Sequence, residues 1–187
     1  TEGKVDIMLV NDASSDGYNY YAIAKQYDTE YIENKQRLGA AQSRDVGINK
    51  INTDYFITID GHMRFYQDNW HHKILAELIS NERAIYCCDC LRLDDNAKIK
   101  NSISSYGAYI ELKDTTKNSI LDPKWIKKDI LPGKIKKIPC VLGASYCASK
   151  KYWSYLKGLS GLKMYGVEEP YISIKTWLEG GNCYLIN

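Results

Sequence analysis

Three stretches of the 187-residue chain hold acidic and imidazole side chains whose types and spacing could do chemistry. Asp60-Gly61-His62 sets a carboxylate and an imidazole two residues apart in a turn, with a glycine leaving room between them. Mixed oxygen and nitrogen donors with open positions suit Mn2+, or Mg2+ in its place. Such an ion could bridge nucleotide phosphates and neutralise a leaving diphosphate. Read alone, the tripeptide is also a turn whose aspartate accepts backbone N–H bonds. Asn11-Asp12-Ala13-Ser14-Ser15-Asp16-Gly17 is a second acidic turn, and Glu168-Glu169 is an acidic pair that would also suit the positive end of a helix dipole.

The elements that must position these groups follow from the apolar pattern. Val5 to Val10 is a nearly continuous apolar run that stops at the Asn11–Gly17 turn, and Tyr55 to Ile59 is a second that stops at Asp60. Both read as buried strands that deliver acidic turns to one sheet edge, where ligands of parallel α/β sheets bind. Between them the spacing predicts a helix over Tyr20 to Gln26, a strand over Tyr31 to Glu33, and a helix over Ala40 to Lys50. A helix over Asp68 to Ser80 and a strand over Ile85 to Leu93 follow. From Asp94 to Pro139 periodicity is lost, three of the four prolines gather, and Lys134 to Lys137 form a basic run, so a long surface excursion is expected. Regularity returns with a strand over Val141 to Ala148, a short helix over Lys150 to Leu156, and a helix over Glu168 to Glu179 closed by Gly180-Gly181. The expectation is a single α/β domain with a mostly parallel central sheet.

Composition narrows the function. With 44% hydrophobic and 26% charged residues the chain can bury a real core, which excludes a disordered tail or a disulfide-stapled miniprotein. Lys and Arg total 25 against 23 for Asp and Glu, a net charge of +2 that gives no argument for nucleic acid. No stretch approaches the roughly 18 apolar residues of a membrane span, and Thr1 to Asp6 lacks the shape of a secretory signal. Of six cysteines, Cys87, Cys88 and Cys90 crowd one apolar run, which reads as reduced thiols in a core strand and favours a cytoplasmic setting. Their C-C-x-C spacing lacks the separated pairs of zinc sites.

Several motifs, in order, carry a resemblance. Val10-Asn11-Asp12-Ala13-Ser14-Ser15-Asp16-Gly17 resembles the V-D-D-x-S-x-D-G turn of GT-A glycosyltransferases. Arg37-Leu38-Gly39-Ala40-Ala41-Gln42-Ser43-Arg44 resembles the R-E-G-L-x-R-x-R segment of polypeptide N-acetylgalactosaminyltransferases, and Phe56 to His62 their strand ending in D-S-H. Met164 to Ser173 and Trp177 to Gly181 are similar to W-G-G-E-N-x-E-x-S followed by W-x-x-G-G. The resemblance implies the Rossmann-like GT-A fold and transfer of a sugar from a UDP-sugar donor to a hydroxyl acceptor. It implies that Asp12, with Asn11 beside it, contacts the uracil, that Arg37 and Arg44 line the nucleotide pocket, and that Asp60 and His62 hold Mn2+ on the diphosphate. Gly143, Ala144 and Tyr165 would flank the donor sugar, Tyr165 in the motif's Trp position, and Glu168 would stand close to the reacting carbon.

Departures from the pattern matter too. Asn11 replaces a common Asp, and Val167 and Glu169 replace Gly and Asn. The adjacent Glu168 and Glu169 resemble the G-x-E-D turn of the broad inverting family, where one acid is the general base, whereas the D-x-H and Arg segments resemble retaining enzymes. Stereochemistry stays open on this ground. The resemblance further implies a GT-A catalytic domain without the family's first strand and helix and without its C-terminal end, so a nucleotide-sugar binding module that has lost turnover is the alternative reading.

Overall fold

The computed structural model describes residues 5–96, 98–112, 121–127 and 135–186. Its centre is strand β4 (Ala84–Cys88), whose residues are almost wholly buried. On one side β4 pairs antiparallel with β10 (Ser145–Ser149), which pairs antiparallel with β3 (Tyr55–Ile59). On the other it pairs parallel with β11 (Asn182–Ile186), which pairs antiparallel with β9 (Ile135–Lys137). The five-stranded order is therefore β3-β10-β4-β11-β9. A separate two-stranded parallel sheet joins β1 (Met8–Asn11) to β2 (Glu30–Glu33).

The architecture is α/β as expected, but the central sheet is mixed rather than mostly parallel. The reason lies in the connections. Parallel neighbours need a crossover, usually helical, and the route from β4 to β10 is instead built of hairpins. The chain thus re-enters the sheet running the opposite way.

Side chains alternate along the central strands. Ile85 and Cys87 of β4, Tyr146 and Ala148 of β10, and Cys183 and Leu185 of β11 enter one apolar cluster. Ala84, Tyr86, Cys147 and Ile186 enter the other. The first cluster is roofed by α2 (Ala40–Lys50), α4 (Lys150–Tyr155) and α5 (Glu168–Leu178), which supply Ala41, Ile48, Tyr152, Trp153 and Ile172. The second lies beneath α3 (Trp70–Ser80), through Ile74 and Leu78. Helix α1 (Tyr20–Gln26) starts at Asn19, whose side chain accepts from the Ala22 N–H at 2.9 Å. At the end of α5, Gly180 adopts φ +72° and the Gly181 N–H reaches the Thr176 carbonyl at 2.8 Å, the glycine stop that the sequence predicts. Among the described residues no helix is long and apolar enough to cross a membrane.

Several boundaries differ from expectation. Strand β1 begins only at Met8, three residues into the first apolar run, and continues one residue past its end to Asn11. The strand expected over Ile85 to Leu93 breaks at Asp89 into β4 and β5 (Cys90–Leu93), and β5 leaves the sheet to pair with β6 (Ile99–Ser105). The expected excursion holds that hairpin and a second, β7 (Ala108–Leu112) with β8 (Leu121–Trp125). Such polar strands carry no apolar alternation to betray them. The basic run is edge strand β9, with Lys134 outside the described residues; lysines at a sheet edge discourage pairing with other chains. Val141 to Ala144 precede β10 as a turn, and β11 is an additional strand.

Leu185 is fully buried in β11, between β4 and β9. Leu185→Ala is expected to lower unfolding free energy by roughly 2–5 kcal/mol, measured by urea denaturation followed through tryptophan fluorescence.

Candidate functional site

Strand β1 ends in two polar residues with different tasks. Asn11 is buried; its carbonyl oxygen accepts from the Ser14 N–H at 2.9 Å, and its amide donates to the Tyr31 hydroxyl at 3.0 Å. Asp12 is a clamp. Its Oδ1 accepts from Asn34 Nδ2 at 2.9 Å and the Leu38 N–H at 2.8 Å, while Oδ2 accepts from the Gly39 N–H at 2.8 Å. Partial burial pushes the Asp12 pKa up, but these donors outweigh it and hold the group below the usual carboxylate value. Asn34, itself buried, also donates to Ser43 Oγ at 3.0 Å, tying the clamp to α2.

The clamped turn touches the distant acidic helix. Gly39 adopts φ +89°, and a Cβ there would fall 2.1 Å from the Met164 Cα. Met164 donates its N–H to the Leu38 carbonyl at 3.3 Å, and Gln42 Nε2 donates to the Leu162 carbonyl at 3.1 Å. Only a glycine lets residues 38–39 lie this close to the loop that leads into α5.

Arg44 forms the centre of the site. One guanidinium nitrogen donates to Asp60 Oδ1 at 2.8 Å and to the Gly143 carbonyl at 3.1 Å, and the group lies 5.4 Å from the centroid of the Tyr146 ring. Burial works against the charge of Arg44, but Tyr146, Asp60 and Glu168 more than offset it, so its pKa is raised. Asp60 closes the arrangement by donating its N–H to the Ala144 carbonyl at 3.0 Å, and Asp60 Oδ2 makes no hydrogen bond among the described residues.

Two glutamates approach from the start of α5. Glu168, only 3% exposed, accepts from the Gly166 N–H at 2.9 Å through Oε2, and its Oε1 has no partner. Glu169 rests on Gly143, where a Cβ would fall 1.8 Å from Glu169 Oε1. Burial raises the Glu169 pKa; Glu168 and Asp60 add to the rise, and the Glu169 amide and Arg44 oppose it. The helix dipole favours both carboxylates.

The structure therefore brings Arg44, Asp60, Gly143, Ala144, Glu168 and Glu169 together, and links Asn11 and Asp12 to them through Gly39 and Met164. It leaves Arg37, His62 and Tyr165 exposed at the rim, Tyr165 at 89%. No three His, Cys, Asp or Glu side chains among the described residues form a metal cluster. Asp60 keeps one oxygen off Arg44, and the exposed His62 follows it two residues on, so the donor types of the pair are those a cation with open positions accepts. Gly39, Asn34 and Tyr146 were not marked as site residues in the sequence. The buried Tyr146 hydroxyl meets no hydrogen-bond partner of good geometry among the described residues, and a lone tyrosine in an apolar strand gives no sequence signal.

The comparisons with known proteins fit this arrangement. A model of glycosyl transferase family 2 matches residues 1–131. Polypeptide N-acetylgalactosaminyltransferase 11 of Xenopus tropicalis is 22% identical over 197 residues, covering 97% of this chain and 31% of that protein. A crystal structure of GalNAc-T7 with UDP, GalNAc and Mn2+ superimposes with a TM-score of 0.72 at 17% identity, covering 97% of this chain and 36% of that one. The chain spans about a third of the length of these relatives.

Two outcomes test the clamp. Because the folded Asp12 pKa is depressed, its contribution is complete above the ordinary value of about 3.9 and is lost as pH falls through the lower, folded value. Asp12→Asn is expected to cost about 1–3 kcal/mol at neutral pH, a gap that denaturation curves should show closing below about pH 4. Gly39→Ala, strained in φ and pressed against Met164, should lower stability by more than about 1 kcal/mol in the same assay.

Proposed function

The chain belongs to glycosyl transferase family 2, and from that premise we propose that it is a metal-dependent glycosyltransferase domain that moves a sugar from a UDP-sugar to a hydroxyl acceptor. The observation that carries this reading is the convergence of Arg44, Asp60, Glu168 and Glu169 at one edge of the sheet, from parts of the chain far apart in sequence. The structurally similar GalNAc-T7 was crystallised with UDP, GalNAc and Mn2+, which supports the same class of ligand here.

Asp60 and His62 would hold Mn2+, or Mg2+ in its place, and the bound ion would neutralise charge on the departing diphosphate. Arg44 orients Asp60, leaving one carboxylate oxygen toward solvent. Asn11 and Asp12 shape the turn beside the uracil, with Arg37 at its rim, and the donor sugar lies by Ala144 and Tyr165. Glu168 and Glu169 are the acids next to the reacting carbon and the acceptor hydroxyl. Water is kept from Glu168 by its burial, and its free oxygen can accept a proton or a hydroxyl hydrogen bond. A cytosolic setting belongs to the same proposal, supported by six cysteines that all stand as free thiols.

Calorimetric titration of UDP with and without Mn2+ tests the proposal. Metal-dependent heat is expected, and Asp60→Ala should weaken the metal-dependent binding by at least about 10-fold, the lower end of what losing an outer-sphere partner costs. Absence of metal-dependent heat in the wild type, or an unchanged Asp60→Ala, overturns it. UDP release from a UDP-sugar, in the presence of acceptor or water, separates the enzyme from a module that only binds.

A further inference from the structure

Resting on the donor-binding reading above, we infer that Glu169 selects the donor sugar, favouring a hexose that presents a free hydroxyl over one that carries an acetamido group in its place. The observation is the contact between Glu169 and Gly143. A Cβ on residue 143 would lie 1.8 Å from Glu169 Oε1 and 2.7 Å from its carboxyl carbon, so the absence of a side chain at 143 is what admits the carboxylate. The room beside Gly143 thus belongs to Glu169, and a sugar meets that carboxylate before it meets the backbone.

This carboxylate has capacity to spare. Its own amide favours the charged form electrostatically, and among the described residues no side chain donates to it. Arg44, the nearest cation, directs its hydrogen bonds to Asp60 and to the Gly143 carbonyl instead. Beside it, Glu168 Oε1 is buried and without a partner. Glu168 Oε1, buried and unmet among the described residues, and the half-buried Glu169 carboxylate next to it suit a ligand that brings O–H groups, since a buried acceptor left unmade is costly.

A hexose hydroxyl supplies such a donor in little space. An acetamido group supplies one N–H, but it also brings a carbonyl oxygen, which the carboxylates repel, and a methyl group, which finds Arg44, Gly143 and Glu168 rather than an apolar wall. The relatives identified by comparison are named for an N-acetylated sugar, so this chain departs from them in its donor.

Competition binding on the full chain with Mn2+ tests the inference, using UDP as reference against UDP-glucose, UDP-galactose and their N-acetylamino counterparts. At least one UDP-hexose is expected to bind about tenfold tighter than its counterpart, the worth of one hydrogen bond to a charged group. Glu169→Gln keeps the shape but replaces an acceptor with a donor, and should bring that ratio to within about threefold. Gly143→Ala, which pushes the carboxylate aside, should lose the same preference, with thermal melting checking that both variants fold. Equal or tighter binding of the acetamido sugars to the wild type, or an unaltered ratio in both variants, overturns the inference while leaving UDP binding intact. Failure of UDP itself to bind removes the donor-binding reading and this inference together.

Discussion

A guanidinium taken out of water must be met on every side, and Arg44 organises the molecule around that need. It projects from α2, yet its partners come from the end of β3, the turn before β10, and the interior of β10. Breaking such a set by removing one partner leaves a buried charge, which is far more costly than the pair is stabilising. The register of β3 against β10 is held by the same corner, because the Asp60 N–H closes on the Ala144 carbonyl. Fold and site therefore share one interaction.

The acids around Arg44 outnumber it. Asp60, Glu168 and Glu169 lie close enough to influence one another, with Arg44 as the cation among them. A cluster with an excess of negative charge and an unpartnered buried carboxylate oxygen is incomplete as a protein interior. The charge at this corner is therefore net negative, with Arg44 as its single counterweight in the electrostatics of Glu169.

Much of this was legible in the sequence. Helices α1 and α2 and strand β3 lie where the apolar spacing puts them, Tyr20–Gln26, Ala40–Lys50 and Tyr55–Ile59, because each is bounded by strong turn formers. The ordered motifs marked Asp12, Arg44, Asp60, His62 and Glu168 as parts of one site, but not that Arg44 would pair with Asp60 or that His62 would stand exposed. Strand directions did not follow, since direction depends on how the chain returns, and Ile99–Ser105 shows nothing in its composition that marks a hairpin. The role of Asp12 was hidden for another reason. A turn aspartate looks the same in sequence whether it faces a ligand or its own chain, and only the positions of Leu38 and Gly39 reveal that its carboxylate faces inward.

Asp12 and Glu168 show how one chain divides the work of its carboxylates. Both oxygens of Asp12 accept protein donors, so it is a fixed part that holds residues 38–39 against the loop before α5. Glu168 is more deeply buried but has one oxygen unmatched. A buried unmatched acceptor is destabilising, and the geometry ties the two acids together: by holding Gly39 against Met164, Asp12 fixes the start of the loop whose end presents Glu168. Satisfaction at one acid permits incompleteness at the other. The clamp thus holds the chain that presents the unmatched oxygen of Glu168 without using that oxygen itself.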